Sequence, residues 1–137
     1  MRTTTTAAAV IACAALLAGC ADDGPAPAEL ARQACGTIGA DNEHLTPDPD
    51  SQGADVQEAQ QAADEATERA DLAAAAAVRD PRWTRLADAF TWLAAELDDS
   101  VARAEIAGGL SVTDQPEEYR QNLATLEADC RKAHAAP

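Results

Sequence analysis

Residues 83–104 read WTRLADAFTWLAAELDDSVARA, and within them Trp83, Leu86, Phe90, Leu93, Leu97, Val101 and Ala104 recur at alternating steps of three and four. That is the spacing of one face of an α-helix, whose turn of about 3.6 residues brings such positions into line. Asp80-Pro81 ahead of the stretch reads as an N-cap followed by a first-turn proline, and Gly108-Gly109 beyond it as a stop. A stripe this long needs other helices to bury it, since nowhere does the chain show the two-residue alternation of a half-buried strand. The chain is expected to be all-α.

On the N-terminal side, Val56, Ala59, Ala63, Ala66, Ala70, Ala73 and Ala77 keep the same three/four rhythm, predicting a helix over about 55–79 whose seam is alanine. Small side chains let neighbouring backbones approach closely, and such a seam also suits an oligomeric coiled coil. On the C-terminal side, Tyr119, Leu123, Leu126, Cys130 and Ala133 predict a helix over about 115–134, with Asp114 and Glu117 spaced as a capping box in which an acid replaces the usual Ser or Thr. Near the start, Pro27 suits a first helical position, Glu29 a first turn, and Leu30, Ala34 and Ile38 one face; Gly36 and Gly39 limit this helix to about ten residues. Residues 40–54, with Pro47, Pro49, Gly53 and several acids, read as a loop of about fifteen residues. The expected architecture is an antiparallel three-helix bundle of long helices with a short additional N-terminal helix.

The N-terminus has a different chemistry. Arg2 is followed by the uncharged, mostly apolar run from Ala7 to Ala18, closed by Leu17-Ala18-Gly19-Cys20. This pattern resembles the signal of bacterial lipoproteins, and its apolar run is too short to span a bilayer stably. In that family, small residues at the two positions before the cysteine fit the peptidase, and the cysteine thiol takes a diacylglyceryl group. The resemblance implies cleavage before Cys20, lipidation of Cys20, and a chain tethered to the extracytoplasmic face of the cell membrane. It implies three parts: a signal over 1–19, a flexible spacer over 20–26 and a helical domain over 27–137. The resemblance stops at Cys20, and the helical domain matches no family by its residues.

With Cys13 lost in the signal and Cys20 carrying lipid, Cys35 and Cys130 remain. Two thiols in an exported chain predict one disulfide, which would pin the short first helix to the last. Loss of residues 1–19 removes Arg2 and no acid, taking the formal net charge from -14 to -15. So acidic a chain is unsuited to nucleic acid, whose phosphates are met by Lys and Arg. Alanine is about a quarter of the residues, so the core buries little apolar area per position and benefits from a staple.

Candidate sites are few. Asp48, Asp50, Gln52 and Gly53 fall at the first, third, fifth and sixth positions of a calcium loop, but the twelfth is Ala59 in place of a bidentate Glu and Pro49 stiffens the second. With Asp55 they make a weak metal candidate beside the plainer reading of a polar loop. His44 and His134 stand in no ligand or triad spacing, and Ser51, Ser100 and Ser111 have no histidine nearby in sequence. No cofactor motif is present, and no enzyme is expected.

Trp92 lies off the apolar stripe. At about 100° per residue it points away from Trp83 and shares its face with Asp88 and Glu96, so it either anchors a partner or is covered by the short first helix or the long loop. Arg79, Arg82 and Arg85 gather at the junction of the second and third helices, and Arg131 and Lys132 at the end of the fourth. Those ends coincide in an alternating bundle, close to the lipid at Cys20. The five basic residues are candidates to face anionic head groups, with local ion pairs such as Arg85 with Asp88 as the alternative. The expected protein is a tethered binding module with a possible envelope-protein partner; a weak calcium or small-ligand binder is the second reading.

Overall fold

A computed structural model of the chain describes residues 24–40, 56–107 and 116–137. Cys20, the loop candidates Asp48, Asp50, Gln52 and Asp55, and the Gly108-Gly109 stop lie outside the described residues. Every regular element among the described residues is helical: α1 (Pro27–Cys35), α2 (Val56–Arg79), a 3₁₀ turn (Pro81–Trp83), α3 (Thr84–Ala107) and α4 (Glu117–Ala135).

The α3 stripe is buried as its spacing predicts: Trp83, Leu86, Phe90, Leu93, Val101 and Ala104 are all in the core, and Leu97 is half-buried where it joins two clusters. Asp80 caps the helical entry, its carboxylate accepting a hydrogen bond from the Arg82 backbone N–H at 3.1 Å. In α2 the buried seam runs Ala59, Ala63, Ala66, Ala73 and Ala76, with Ala70 and Ala77 half-buried. The shift from Ala77 to Ala76 is the drift of a straight helix against a strict seven-residue repeat, about 20° per heptad.

α4 begins later than expected. Its N-cap is Pro116, which makes no side-chain cap, and Glu117 is the first helical residue, so Glu117 is not three residues into the helix as a capping box from Asp114 requires. Arg120 and Gln121 instead bond the Glu117 carboxylate, at 2.5 and 3.2 Å.

α1 is more than an appendage. Five of its nine residues, Ala28, Leu30, Ala31, Ala34 and Cys35, are buried, and it packs on both α2 and α4, while α4 packs on α1 and α3. The Arg79 guanidinium bonds the Pro25 carbonyl at the start of α1, and Arg69, ten residues earlier in α2, donates to the Cys35 carbonyl at its end, at 2.9 Å. The two helices are therefore antiparallel. Arg69 also supplies the charge-complementary cap that a helix C-terminus lacks on its own. Cys35 and Cys130 form a disulfide with Cα atoms 5.4 Å apart, and Arg32 donates to the Ala136 carbonyl at 2.8 Å, so α1 and α4 also run oppositely.

The turn after α1 needs glycine at one point in particular. Gly39 has φ +74°, and a Cβ there would lie 3.1 Å from both the Arg131 backbone nitrogen and the Glu127 carbonyl oxygen. Gly39→Ala is expected to lower stability by about 1–3 kcal/mol, from left-handed strain and from pushing the turn off α4, read as a fall in the denaturation midpoint. An unchanged midpoint would mean the turn relaxes freely.

Candidate functional site

α3 and α4 meet along a groove whose floor is aromatic. On α3, Arg85, Asp88, Ala89, Trp92 and Glu96 follow one helical flank. Pro116, the N-cap of α4, and Glu118, Tyr119, Asn122 and Thr125 on the helix face them. Two solvent-open cavities lie along this seam. One, of about 250 Å³, is bounded by Arg85, Asp88, Trp92 and Thr125; the other, of about 170 Å³, by Trp92, Glu96, Glu118 and Tyr119. Trp92 and Asn122 belong to both and divide them.

Trp92 is half-buried, and its ring lies 5.3 Å from that of Tyr119 at an interplanar angle of 57°, a tilted aromatic pair. Among the described residues α4 thus covers it, through Tyr119. Burial, and then the Glu96 carboxylate, push the Tyr119 phenol above its ordinary pKa, so the hydroxyl remains a neutral donor and acceptor throughout the physiological range. Glu96 is paired with Arg103 at 3.5 Å.

The basic residues have partners within the domain. Arg79 bonds the Pro25 carbonyl. Arg82 pairs with Asp80 at 2.6 Å and lies over the Trp83 ring, 4.8 Å from its centroid. Arg131 pairs with Glu127 at 3.7 Å. Arg85 and Lys132 are brought together on one carboxylate: Asp129 accepts from Arg85 Nε at 2.6 Å and from Lys132 Nζ at 2.9 Å. The partner of Arg85 is thus Asp129, 44 residues away, in place of the local Asp88.

Asp129 is the residue that sequence reasoning passed over. It is only 6 % exposed, beside Cys130 on the inner side of α4. Burial pushes its carboxyl up, but the bonds and charges of Arg85 and Lys132 outweigh this and hold it below the ordinary aspartate value. Such a carboxyl adds stability above the unfolded-state value of about 3.9, and that stability is lost as pH falls through the lower folded-state value. Asp129→Asn is expected to lower Tm at neutral pH, with the gap to wild type closing as the pH is taken well below 4; a gap independent of pH would refute this assignment. The available signal was positional: Asp129 and Lys132 are three apart on a helix, and Asp129 adjoins the buried Cys130. Asn122 was also overlooked, although it lies three residues beyond Tyr119 on the same flank.

His134 bonds the Ile38 carbonyl through Nε2 at 3.0 Å, a contact that ties the end of α4 to the turn after α1. Among the described residues no group of three or more His, Cys, Asp and Glu is placed to hold a metal ion. No helix among them is long and apolar enough to cross a membrane. Compared with known proteins, the chain matches no family model, no curated protein and no solved structure.

Proposed function

We propose that the protein is a lipid-tethered module of the cell envelope that binds a partner through the α3/α4 groove. The observation that carries the binding role is the half-buried Trp92 between two open cavities, each with polar groups at its edge. Aromatic residues that are partly desolvated but still reachable are the usual anchors of recognition surfaces. In the scaffold α2 packs on α3 and α3 on α4, while α1 packs on both α2 and α4 and is joined to α4 by the disulfide. That arrangement makes the groove a rigid surface on two helices.

The tether rests on Leu17-Ala18-Gly19-Cys20. On that reading, the bond of Arg79 to the Pro25 carbonyl, five residues beyond Cys20, sets which pole lies nearest the lipid. A five-residue span reaches at most about 18 Å. The α2/α3 junction, with Val78 85 % exposed beside Arg79 and Arg82, would therefore lie close to the lipid surface, and the Glu96 and Glu118 end of the groove away from it. Because Arg82, Arg85, Arg131 and Lys132 all have carboxylate partners, this pole contributes orientation more than affinity.

Intact mass of the membrane-extracted protein, with and without reductant and alkylating agent, tests the tether. A chain that starts at Cys20, carries acyl mass and gains two alkyl groups only after reduction supports it. An unacylated chain, or one cut elsewhere, overturns it. The groove is tested by Trp92→Leu, which should abolish partner cross-linking while leaving the denaturation midpoint within about 1 kcal/mol of wild type, since the site is half-buried.

A further inference from the structure

Resting on the reading of the groove as a binding surface, we propose that its occupant is a lysine-bearing peptide segment of a partner protein. The lysine stem lies along the Trp92 and Tyr119 rings, and its ammonium meets the Asp88 or Glu118 carboxylate.

Charge selects the occupant. Asp88 edges one cavity and Glu96 and Glu118 the other. Glu96 is held by Arg103, which leaves Asp88 and Glu118 without an ion-pair partner among the described residues. The one cation among the described lining residues, Arg85, is bonded to Asp129, which it shares with Lys132. An anionic segment would meet two uncompensated carboxylates on a chain of formal charge -14. A lysine satisfies both halves of the surface, since its alkyl stem packs on aromatic rings and its ammonium is drawn to their faces and to carboxylates.

Shape selects a peptide over a small solute. Small ligands are enclosed on most sides, whereas both cavities here are open. From Arg85 to Glu96 the groove follows α3 for about 16 Å, the length of about five extended residues. Asn122, at the divide, has an amide that both donates and accepts and makes no hydrogen bond among the described residues, so it is free to pair with a peptide backbone.

The test is a titration of the full, membrane-extracted protein with acetyl-Ala-Lys-Ala-Lys-Ala-amide, read by NMR on the two indole N–H signals and assigned with Trp92→Phe. Trp83 is 5 % exposed and serves as the internal control. The Trp92 signal is expected to move saturably while that of Trp83 stays, and the same peptide with norleucine for lysine should leave both in place. Asp88→Asn with Glu118→Gln should weaken binding about fivefold, whereas Glu68→Gln with Asp71→Asn, the same charge change on α2, should weaken it less than about twofold. Equal weakening by the two pairs would mean diffuse attraction to an acidic protein and would overturn the proposal. A norleucine peptide that moves Trp92 equally would overturn the cationic class while leaving the groove a binding surface. Silence from both peptides would also overturn it, and because the tether is read from mass alone, that reading would stand or fall separately.

Discussion

Phe90→Ala should lower the stability of the domain by about 3–5 kcal/mol, the upper range for a large-to-small change in a core. Phe90 is the chain's one phenylalanine and is 0 % exposed. In the core cluster it belongs to, Ala28, Ala31, Ala34, Ala66, Ala73, Ala76, Ala87 and Ala133 stand between the large side chains. Alanine has no rotamers with which to fill a void, and its helix cannot approach without dragging the backbone, so the cavity left by the ring would stay largely open. Small domains have about 5–15 kcal/mol in total, which makes this loss a large fraction of the whole. Chemical denaturation followed by far-UV circular dichroism measures it, with Phe90→Leu as the companion that retains part of the volume. A loss below about 1 kcal/mol would mean that the ring is not packed as described, or that the alanine-lined helices close over the gap.

Removing the staple should cost nearly as much. Cys35 and Cys130, both 0 % exposed, close a loop of sequence separation 95. On the chain-entropy account such a link stabilises by about 4–5 kcal/mol, and removal of native disulfides from small exported domains costs about 2–5 kcal/mol. Cys35→Ala with Cys130→Ala is therefore expected to lower the denaturation midpoint by a comparable amount. The effect should be uneven, because α1 has nine residues and a helix that short is marginal by itself. Amide exchange in 28–35 should accelerate more than in the α2/α3 hairpin, with the Arg69 bond to the Cys35 carbonyl and the Arg32 bond to the Ala136 carbonyl among the ties that remain. Uniform acceleration across all helices would mean that α1 unfolds only with the rest of the domain. Retention of the wild-type midpoint would show that packing alone holds α1 between α2 and α4.

These two residue sets differ in how far they could be read in advance. The burial of Phe90 follows from its place in the α3 stripe, a local property carried by turn geometry. The pairing of Cys35 with Cys130 was reached through the lipoprotein resemblance, which sets Cys13 and Cys20 aside. Asp129 was hidden because its neighbours on α4 mark the helix as amphipathic without saying which charged residue the next helix will cover; Arg85 reaches it across 44 residues. Trp92 was visible as an anomaly, yet its cover by Tyr119 depended on how α3 and α4 align. Asp114 looked like a cap on spacing alone, and the helix begins at Glu117 instead, after Pro116.

The sequence by itself determined where the helices are, which face of each turns inward and where α2 gives way to α3, because each of these is set by residues within a few turns of one another; which two thiols pair came only with the lipoprotein resemblance. Only the tertiary structure decided that α1 lies between α2 and α4, that Asp129 gathers Arg85 and Lys132, and that Trp92 and Tyr119 form one groove. The reason is the alanine seam: small, similar side chains tolerate several neighbours and alignments, so the choice among them falls to a few large residues, the disulfide and long-range ion pairs, whose partners no local pattern names.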